Sequence, residues 1–249
     1  LPVTAGEKVV MRVVDQSRAR VELGTLGMTE RDLARLQRFL DRPQGIVLAT
    51  GPTGSGKSTL LYSALRHVQS VTRNITTVED PVEYQIAGIN QVQVDEKAKK
   101  TFPAVLRSIL RQDPDVIMIG EIRDRETAQI AFRASVTGHL VLSTVHTNDA
   151  AGAVTRLVDL GLEPFMVASS LIGVVSIRLV RTLCPKCREP YETDASNLAL
   201  LGGGGGNATV ELWRAPGCPN CRETGFTGRT GIFEVLEVDD PIRRLIARN

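Results

Sequence analysis

Short, continuously apolar runs alternate along the chain with stripes of apolar residues at helical spacing. Gly45–Thr50 (GIVLAT), residues 75–78, Val116–Ile119 and residues 139–145 are the runs. Each is bounded by turn residues or carboxylates and predicts a strand buried on both faces. Between them, Thr29 is placed as an N-cap, with Glu30 and Asp32 in the first turn behind it. Leu33, Leu36, Phe39 and Leu40 then make the inner stripe of a helix that ends before Pro43. A helix is expected from Ser58. Val105, Ile109 and Leu110 mark another, broken at Asp113-Pro114-Asp115, and Asp124 caps a further one through Ala134. Residues 171–180 read as a mostly apolar helix with Arg178 and Arg181 opening a basic flank. Residues 231–238 predict a strand or turn, followed by a helix from about Asp240. The alternation is that of an α/β fold with a mainly parallel sheet.

Composition narrows this picture. The 249 residues suffice for one α/β domain with a substantial core and something small beside it. Lys and Arg number 30 against 28 Asp and Glu, so the net charge of +2 implies no strong polyanion-binding field. Aromatic residues at 4% leave little for base stacking, which argues against a nucleic-acid translocase. No run approaches the ~18 apolar residues of a membrane span. No basic region followed by an apolar one opens the chain, so a soluble cytosolic protein is expected. Residues 6–15, rich in β-branched side chains, read as an edge strand or the tail of a preceding domain, and residues 16–27 as a linker. A start without Met suggests a fragment of something longer. The glycine run at 202–206 predicts a flexible loop.

The stretch GPTGSGKST changes the reading from fold to chemistry. Gly51, Gly56, Lys57 and Ser58 stand at the spacing G-x-x-x-x-G-K-[ST], after a buried strand and before a helix. Glycines let successive backbone N–H groups turn inward around phosphate, and the helix N-terminus adds unpaired N–H groups and its positive dipole end. The candidate nucleotide-binding residues are Gly51, Pro52, Thr53, Gly54, Ser55, Gly56, Lys57, Ser58 and Thr59. Lys57 is expected on the β- and γ-phosphates and the Ser58 hydroxyl on Mg²⁺.

Further chemistry-bearing residues follow the other strands, where open α/β sheets bind ligands. Glu79-Asp80 end the run at 75–78, and Pro81 stops the strand ladder. They are placed to orient water or hold Mg²⁺, or else form an acidic, solvated turn. The run Val116–Ile119 ends on Gly120 where an acidic residue is usual, leaving Glu121 as the carboxylate in place. His146-Thr147-Asn148-Asp149 follow the fourth run. His146 or Asn148 can sense a γ-phosphate there, or His146 is a satisfied surface group; His67 reads as structural. Four cysteines pair as two C-x-x-C units, Cys184 with Cys187 and Cys218 with Cys221. The chemistry fits a closed tetrahedral Zn²⁺ site, with free buried thiols or a redox pair as alternatives. The interval between the units is longer than the usual ribbon spacing.

Taken together, GPTGSGKST, ITTVEDPVEY, LRQDPDVIMIGEIRD, TGHLVLSTVHTND and the paired C-x-x-C ending in GRTGIFEVL resemble the secretion ATPase superfamily. That superfamily serves type II secretion, type IV pilus assembly and type IV secretion, and the resemblance spans nearly all of residues 45–238. Its four motifs are the Walker A motif, the Asp box, the Walker B motif and the His box. The resemblance implies a RecA-like P-loop core with a mainly parallel sheet, a small tetracysteine zinc-binding subdomain and a C-terminal helical piece. The corresponding divisions are residues 1–28 (remnant of a preceding domain and linker), 29–182 (ATPase core), 183–225 (zinc subdomain) and 226–249 (C-terminal piece). It implies ATP and Mg²⁺ as cofactors beside Zn²⁺. By position, Glu79 resembles the glutamate that activates water, Glu121 the Walker B glutamate, and His146 the His-box residue facing the nucleotide. Arg12 occupies a place from which such proteins complete a neighbouring subunit's site, with Arg18 and Arg20 as further candidates. The tetracysteine insertion resembles the assembly motors of type II secretion and pilus extension, and LVRTLCPKCREPY leans toward the type II secretion members. The implied partners are a homo-hexamer, an inner-membrane platform protein and a membrane-anchored recruiting protein. Membrane association would run through these partners, with no direct span and no nucleic acid.

Overall fold

The computed structural model describes residues 2–4, 6–9, 21–95, 97–194 and 209–248. Arg12, Arg18, Arg20 and the glycine run at 202–206 therefore lie outside the described residues. The strands are β1 (Pro2–Val3), β2 (Gly6–Glu7), β3 (Gly45–Thr50), β4 (Ile75–Glu79), β5 (Asn90–Gln93), β6 (Val116–Ile119), β7 (Leu140–Val145), β8 (Leu171–Leu183), β9 (Glu189–Asp194), β10 (Thr209–Arg214) and β11 (Phe226–Glu237). The helices are α1 (Glu30–Leu40), α2 (Lys57–Val68), α3 (Phe102–Ile109), α4 (Arg125–Val136), α5 (Ala150–Asp159), α6 (Pro164–Ser170) and α7 (Asp240–Ile246). The chain divides into two compact units, one of residues up to Arg178 together with those from Gly231, the other Leu179–Thr230.

The first unit is built on a seven-stranded sheet in the order β11-β8-β3-β7-β6-β4-β5. From β8 to β5 every adjacent pair is parallel. Strands buried on both faces need apolar side chains in both directions, and β3, β6 and β7 are buried at every position. Alternate residues of β3 serve opposite layers. Ile46 and Leu48 join a core with Leu106, Phe132, Leu157 and Val167, whereas Val47 and Ala49 join one with Leu36, Phe39, Leu61 and Leu65. Helices α3 to α7 thus cover one face and α1 with α2 the other, a three-layer α/β/α arrangement.

The predicted elements stand with small shifts at their ends, as helix and strand boundaries commonly do. The Thr29 hydroxyl accepts from Asp32 N, and the Asp124 carboxylate from Thr127 N at 2.8 Å, capping α1 and α4. The tail of the expected linker is packed: Leu23 is buried and the Ser63 hydroxyl donates to Val21 O at 2.8 Å.

One expectation is overturned. Residues 171–180 are not a helix but part of β8, buried over 171–177 and pairing in parallel with β3 from Leu171↔Ile46 to Ser176↔Thr50. An apolar run buried on both sides carries no period to separate helix from strand. Here β-branched Ile172, Val174, Val175 and Ile177 favour the strand. Gly173 lets the sheet approach α1: a Cβ there would lie 2.5 Å from Phe39 Cε2.

The second unit contains β9 and β10 together with the outer ends of β8 and β11. Strands β9 and β10 pair antiparallel in register from Arg214↔Glu189 to Thr209↔Asp194. Its buried residues, among those described, are Cys184, Cys221 and Gly225.

Candidate functional site

The parallel strands bring the candidate residues to one edge of the sheet. β3 leads into the glycine loop, β4 ends on Glu79, β6 is followed by Gly120-Glu121, and β7 by His146. Side chains lock these ends together. Thr147 N donates to Thr50 Oγ1 at 2.9 Å, Thr144 Oγ1 to Gly120 O at 2.8 Å, and Ser143 Oγ to Ile119 O at 2.8 Å.

The loop between β3 and α2 turns through Gly51, Gly54 and Gly56 at φ of 139°, 76° and 99°. This is the left-handed side of conformational space, open to glycine. At Gly51 space forbids any larger residue as well, since a Cβ would collide with Ile177 O and lie 2.8 Å from Ser55 Oγ. Pro52, Thr53, Gly54 and Ser58 are exposed along the loop, and Gly56 and Thr59 are half-buried. The Ser55 hydroxyl is buried without a hydrogen-bond partner, and Gly56 caps α2 with no side chain. An unpartnered donor inside a glycine-lined cradle, beside uncapped helix N–H groups, fits a phosphate group.

Lys57 reaches back over this loop. Its Nζ donates to Gly51 O at 2.8 Å and Pro52 O at 3.0 Å, leaving one proton for a further acceptor. The side chain is 9% exposed, and burial lowers its pKa while the charge of Glu121 opposes that shift. Lys57 and Glu121 thus share one electrostatic environment.

Glu121, 12% exposed at its side chain, lies 2.5 Å from Arg123 Nη2 and 3.4 Å from His146 Nε2. His146 is half exposed, and Arg178 Nη2 donates to Asn148 O at 3.0 Å, fastening the segment behind it. Glu79 is placed differently. It is 4% exposed, and its carboxylate accepts from the Tyr62 hydroxyl, from Thr77 Oγ1 at 2.5 Å and from Gln91 Nε2 at 3.1 Å. None of its described hydrogen bonds goes to Lys57, Glu121 or His146. The structure therefore brings Lys57, Glu121 and His146 together and seats Glu79 in its own buried network.

Sequence reasoning did not single out Tyr62, Thr77, Gln91 or Arg123, or the contact of Arg178. Tyr62 reads as one more core residue of an apolar helix. No spacing in the sequence marks Gln91, which meets Glu79 because β5 pairs with β4.

The second unit gathers its four cysteines. Their sulfurs all lie within 4.8 Å of one another, with Cys184–Cys218 and Cys187–Cys221 at 3.9 Å and Cys218–Cys221 at 3.7 Å. Tetrahedral zinc with ~2.3 Å bonds needs sulfurs about 3.8 Å apart. Backbone N–H groups of Cys218 and Gly225 point at Cys221 Sγ, each at 3.2 Å. Burial works against the Cys221 thiolate, but these donors and the neighbouring thiols outweigh it and bring its pKa down to about 7. The group can hold zinc and contains no disulfide.

A glycine-lined strand–loop–helix at the carboxyl edge of a mainly parallel sheet, with an invading lysine and a carboxylate on the next strand but one, defines a P-loop nucleoside-triphosphatase core. The profile of the family described as "Type II/IV secretion system protein" matches residues 1–249, and the chain belongs to that family. It is 56% identical over 246 residues to the type II secretion system ATPase E of Vibrio cholerae, covering 99% of this chain and 49% of that protein. The same figures hold for a type II secretion system protein E of Pseudomonas aeruginosa. The chain thus spans about half the length of these relatives. Among solved structures, the pilus retraction motor PilT with bound ADP superposes with a TM-score of 0.66 at 32% identity, over 92% of this chain and 56% of that one. No helix among the described residues is long and apolar enough to cross a membrane.

Proposed function

We propose that the chain hydrolyses ATP with Mg²⁺ as the motor region of a hexameric type II secretion ATPase, driving pseudopilus assembly and protein export. The observation that carries this reading is the glycine cradle of residues 51–59 with Lys57 and Glu121 at its mouth. Lys57 would hold the β- and γ-phosphates, and Ser58 a Mg²⁺ ion, which supplies charge neutralisation at the transferring phosphoryl group. Glu121 would help hold that ion, with Arg123 and His146 fixing its carboxylate. Glu79 orients the attacking water, and His146 faces the nucleotide. Arg12 of a neighbouring copy completes the site; an arginine supplied in this way is worth ~10³ or more in rate. Little covalent chemistry is asked of the protein beyond positioning and charge stabilisation. Zinc in the cysteine group is structural. The motor works at the cytoplasmic face of the inner membrane, through a platform protein and a membrane-anchored recruiting protein. The family resemblance to pilus extension motors makes type IV pilus assembly the second reading.

The test is steady-state ATP hydrolysis by the chain alone and after fusion to a hexamer-forming partner, with and without DNA. Activity that rises on assembly, ignores DNA and vanishes in Lys57→Ala supports the secretion motor. Stimulation by DNA would point instead to a nucleic-acid translocase, and absence of Lys57-dependent hydrolysis in the assembled form to a nucleotide-binding regulator.

A further inference from the structure

Helix α2 delivers Lys57 and Ser58 to the nucleotide loop and, further along, Tyr62 to the core. Tyr62 is 2% exposed, yet its hydroxyl does two jobs. It donates to Glu79 Oε2 and accepts from Glu83 N at 3.2 Å. The other carboxylate oxygen is held just as firmly, by Thr77 and by Gln91. The Gln91 amide also donates to Tyr84 O at 3.2 Å and accepts from Ile86 N at 2.7 Å. Residues 80–89, the loop that leaves Glu79, are thus tied to both oxygens of one buried carboxylate. Tyr84 closes the arrangement, its ring edge-on to that of Tyr62 with centroids 4.4 Å apart.

From this geometry we infer that Tyr62 is a positioning residue, fixing the Glu79 carboxylate and the loop of residues 80–89 relative to the phosphate-binding helix. The inference rests on the proposed role of Glu79 in orienting water. A phenol carries one proton and accepts through its lone pairs, so the hydroxyl can bridge the carboxylate and the loop N–H at once. Burial, then the hydrogen bond and charge of Glu79, raise the Tyr62 pKa well above the ordinary tyrosine range. The hydroxyl therefore stays a donor throughout the working pH range. Because Tyr62 and Lys57 share one rigid helix, movement of that helix is passed to Glu79 through a single hydrogen bond. A carboxylate so held keeps one orientation, which positioning of water requires.

The experiment compares Tyr62→Phe, Glu79→Gln and the double variant in the assembled ATPase, measuring kcat and the Kd of a fluorescent ATP analogue. Tyr62→Phe is expected to lower kcat by about tenfold or more with Kd within about twofold. In the Glu79→Gln background it should cost nothing further, since it acts through Glu79. The inference is overturned if Tyr62→Phe keeps the parental kcat, if it weakens nucleotide binding in proportion, or if its effect persists without Glu79. Should Tyr62→Phe fail to fold, Gln91→Leu, which removes the donor to the other oxygen, must give the same split between kcat and Kd. Parental turnover in Glu79→Gln would instead remove the reading of Glu79 beneath the inference. Loss in Glu79→Gln with full activity in Tyr62→Phe would remove the tyrosine alone.

Discussion

Residues 51–59 take their shape from what lies beneath them, whereas the described residues of the second unit bury almost nothing. The nucleotide loop sits on β3, every residue of which is buried, between two apolar layers. Its chemistry is largely backbone: N–H groups, three glycines at positive φ, and one lysine bonded to two carbonyls. In the second unit the described buried residues are two cysteines and a glycine. Apolar burial is the dominant favourable contribution to folding, and a unit without it needs another source. Four thiols within 4.8 Å supply one when zinc is bound. One region is a site made by a fold; the other is a fold made by a site.

Metal removal is the strongest way to break that contrast. Structural zinc contributes apparent binding energies of about 10–16 kcal/mol in zinc-finger peptides, far above anything else in the second unit. Chelation, or Cys184→Ser, is therefore expected to abolish amide protection around the cysteines while β3 and α2 keep theirs. Trp213, the chain's single tryptophan, stands in β10, so its fluorescence reports on this unit alone. Retained protection and an unchanged Trp213 spectrum in metal-free protein would show that the unit has a core of another kind.

Lys57→Ala comes next and tests the other side. The proposed hydrolysis should fall by about two orders of magnitude or more, as when a preorganised charge is removed from a transition state. Burial already disfavours the Lys57 charge, so its removal should leave the thermal midpoint unchanged or slightly raised. A large fall in midpoint would mean that the lysine holds the loop up.

Glycine substitutions separate conformation from space. At Gly54 a Cβ meets nothing within 4 Å, so Gly54→Ala carries only the left-handed backbone cost of about 1–2 kcal/mol. Gly51→Ala adds a collision with Ile177 O and should cost several kcal/mol more in calorimetry and abolish nucleotide binding. Equal effects at the two positions would show that the loop yields freely, against the picture of a preshaped cradle.

How much of this was legible in the sequence follows the same division. The cradle and the cysteine pairs were readable because their residues are close in the chain and their spacing states their chemistry. The carboxyl edge was readable because each apolar run is followed within two residues by the one it delivers. The environment of Glu79 was not, since Tyr62, Thr77 and Gln91 come from a helix and two strands and meet only through sheet order. Strand β8 was misread for a related reason: a run buried on both faces records burial, not period. Which side chain pairs with Glu121 was also hidden, because Arg123 is one of 30 basic residues with nothing in its spacing to mark it.

The smallest predicted effect sharpens the comparison most finely. Among the described residues, the second unit also holds three arginines over aromatic rings. Arg181 lies 3.8 Å from the Phe226 centroid, Arg188 5.0 Å from that of Trp213, and Arg214 5.8 Å from that of Tyr191. Arg214 also pairs with Glu189 across the hairpin at 2.9 Å. Exposed pairs of this kind are worth about 0.5–1 kcal/mol each, because water competes for both partners. Arg188→Ala should therefore lower the stability of the zinc-loaded unit by no more than about 1 kcal/mol, read from Trp213 fluorescence during denaturation. Without zinc the same substitution should have nothing left to destabilise. If Arg188→Ala melted the loaded unit, the stacked arginines rather than the thiolates would be its organising contacts, and the distinction between the two regions would have to be drawn elsewhere.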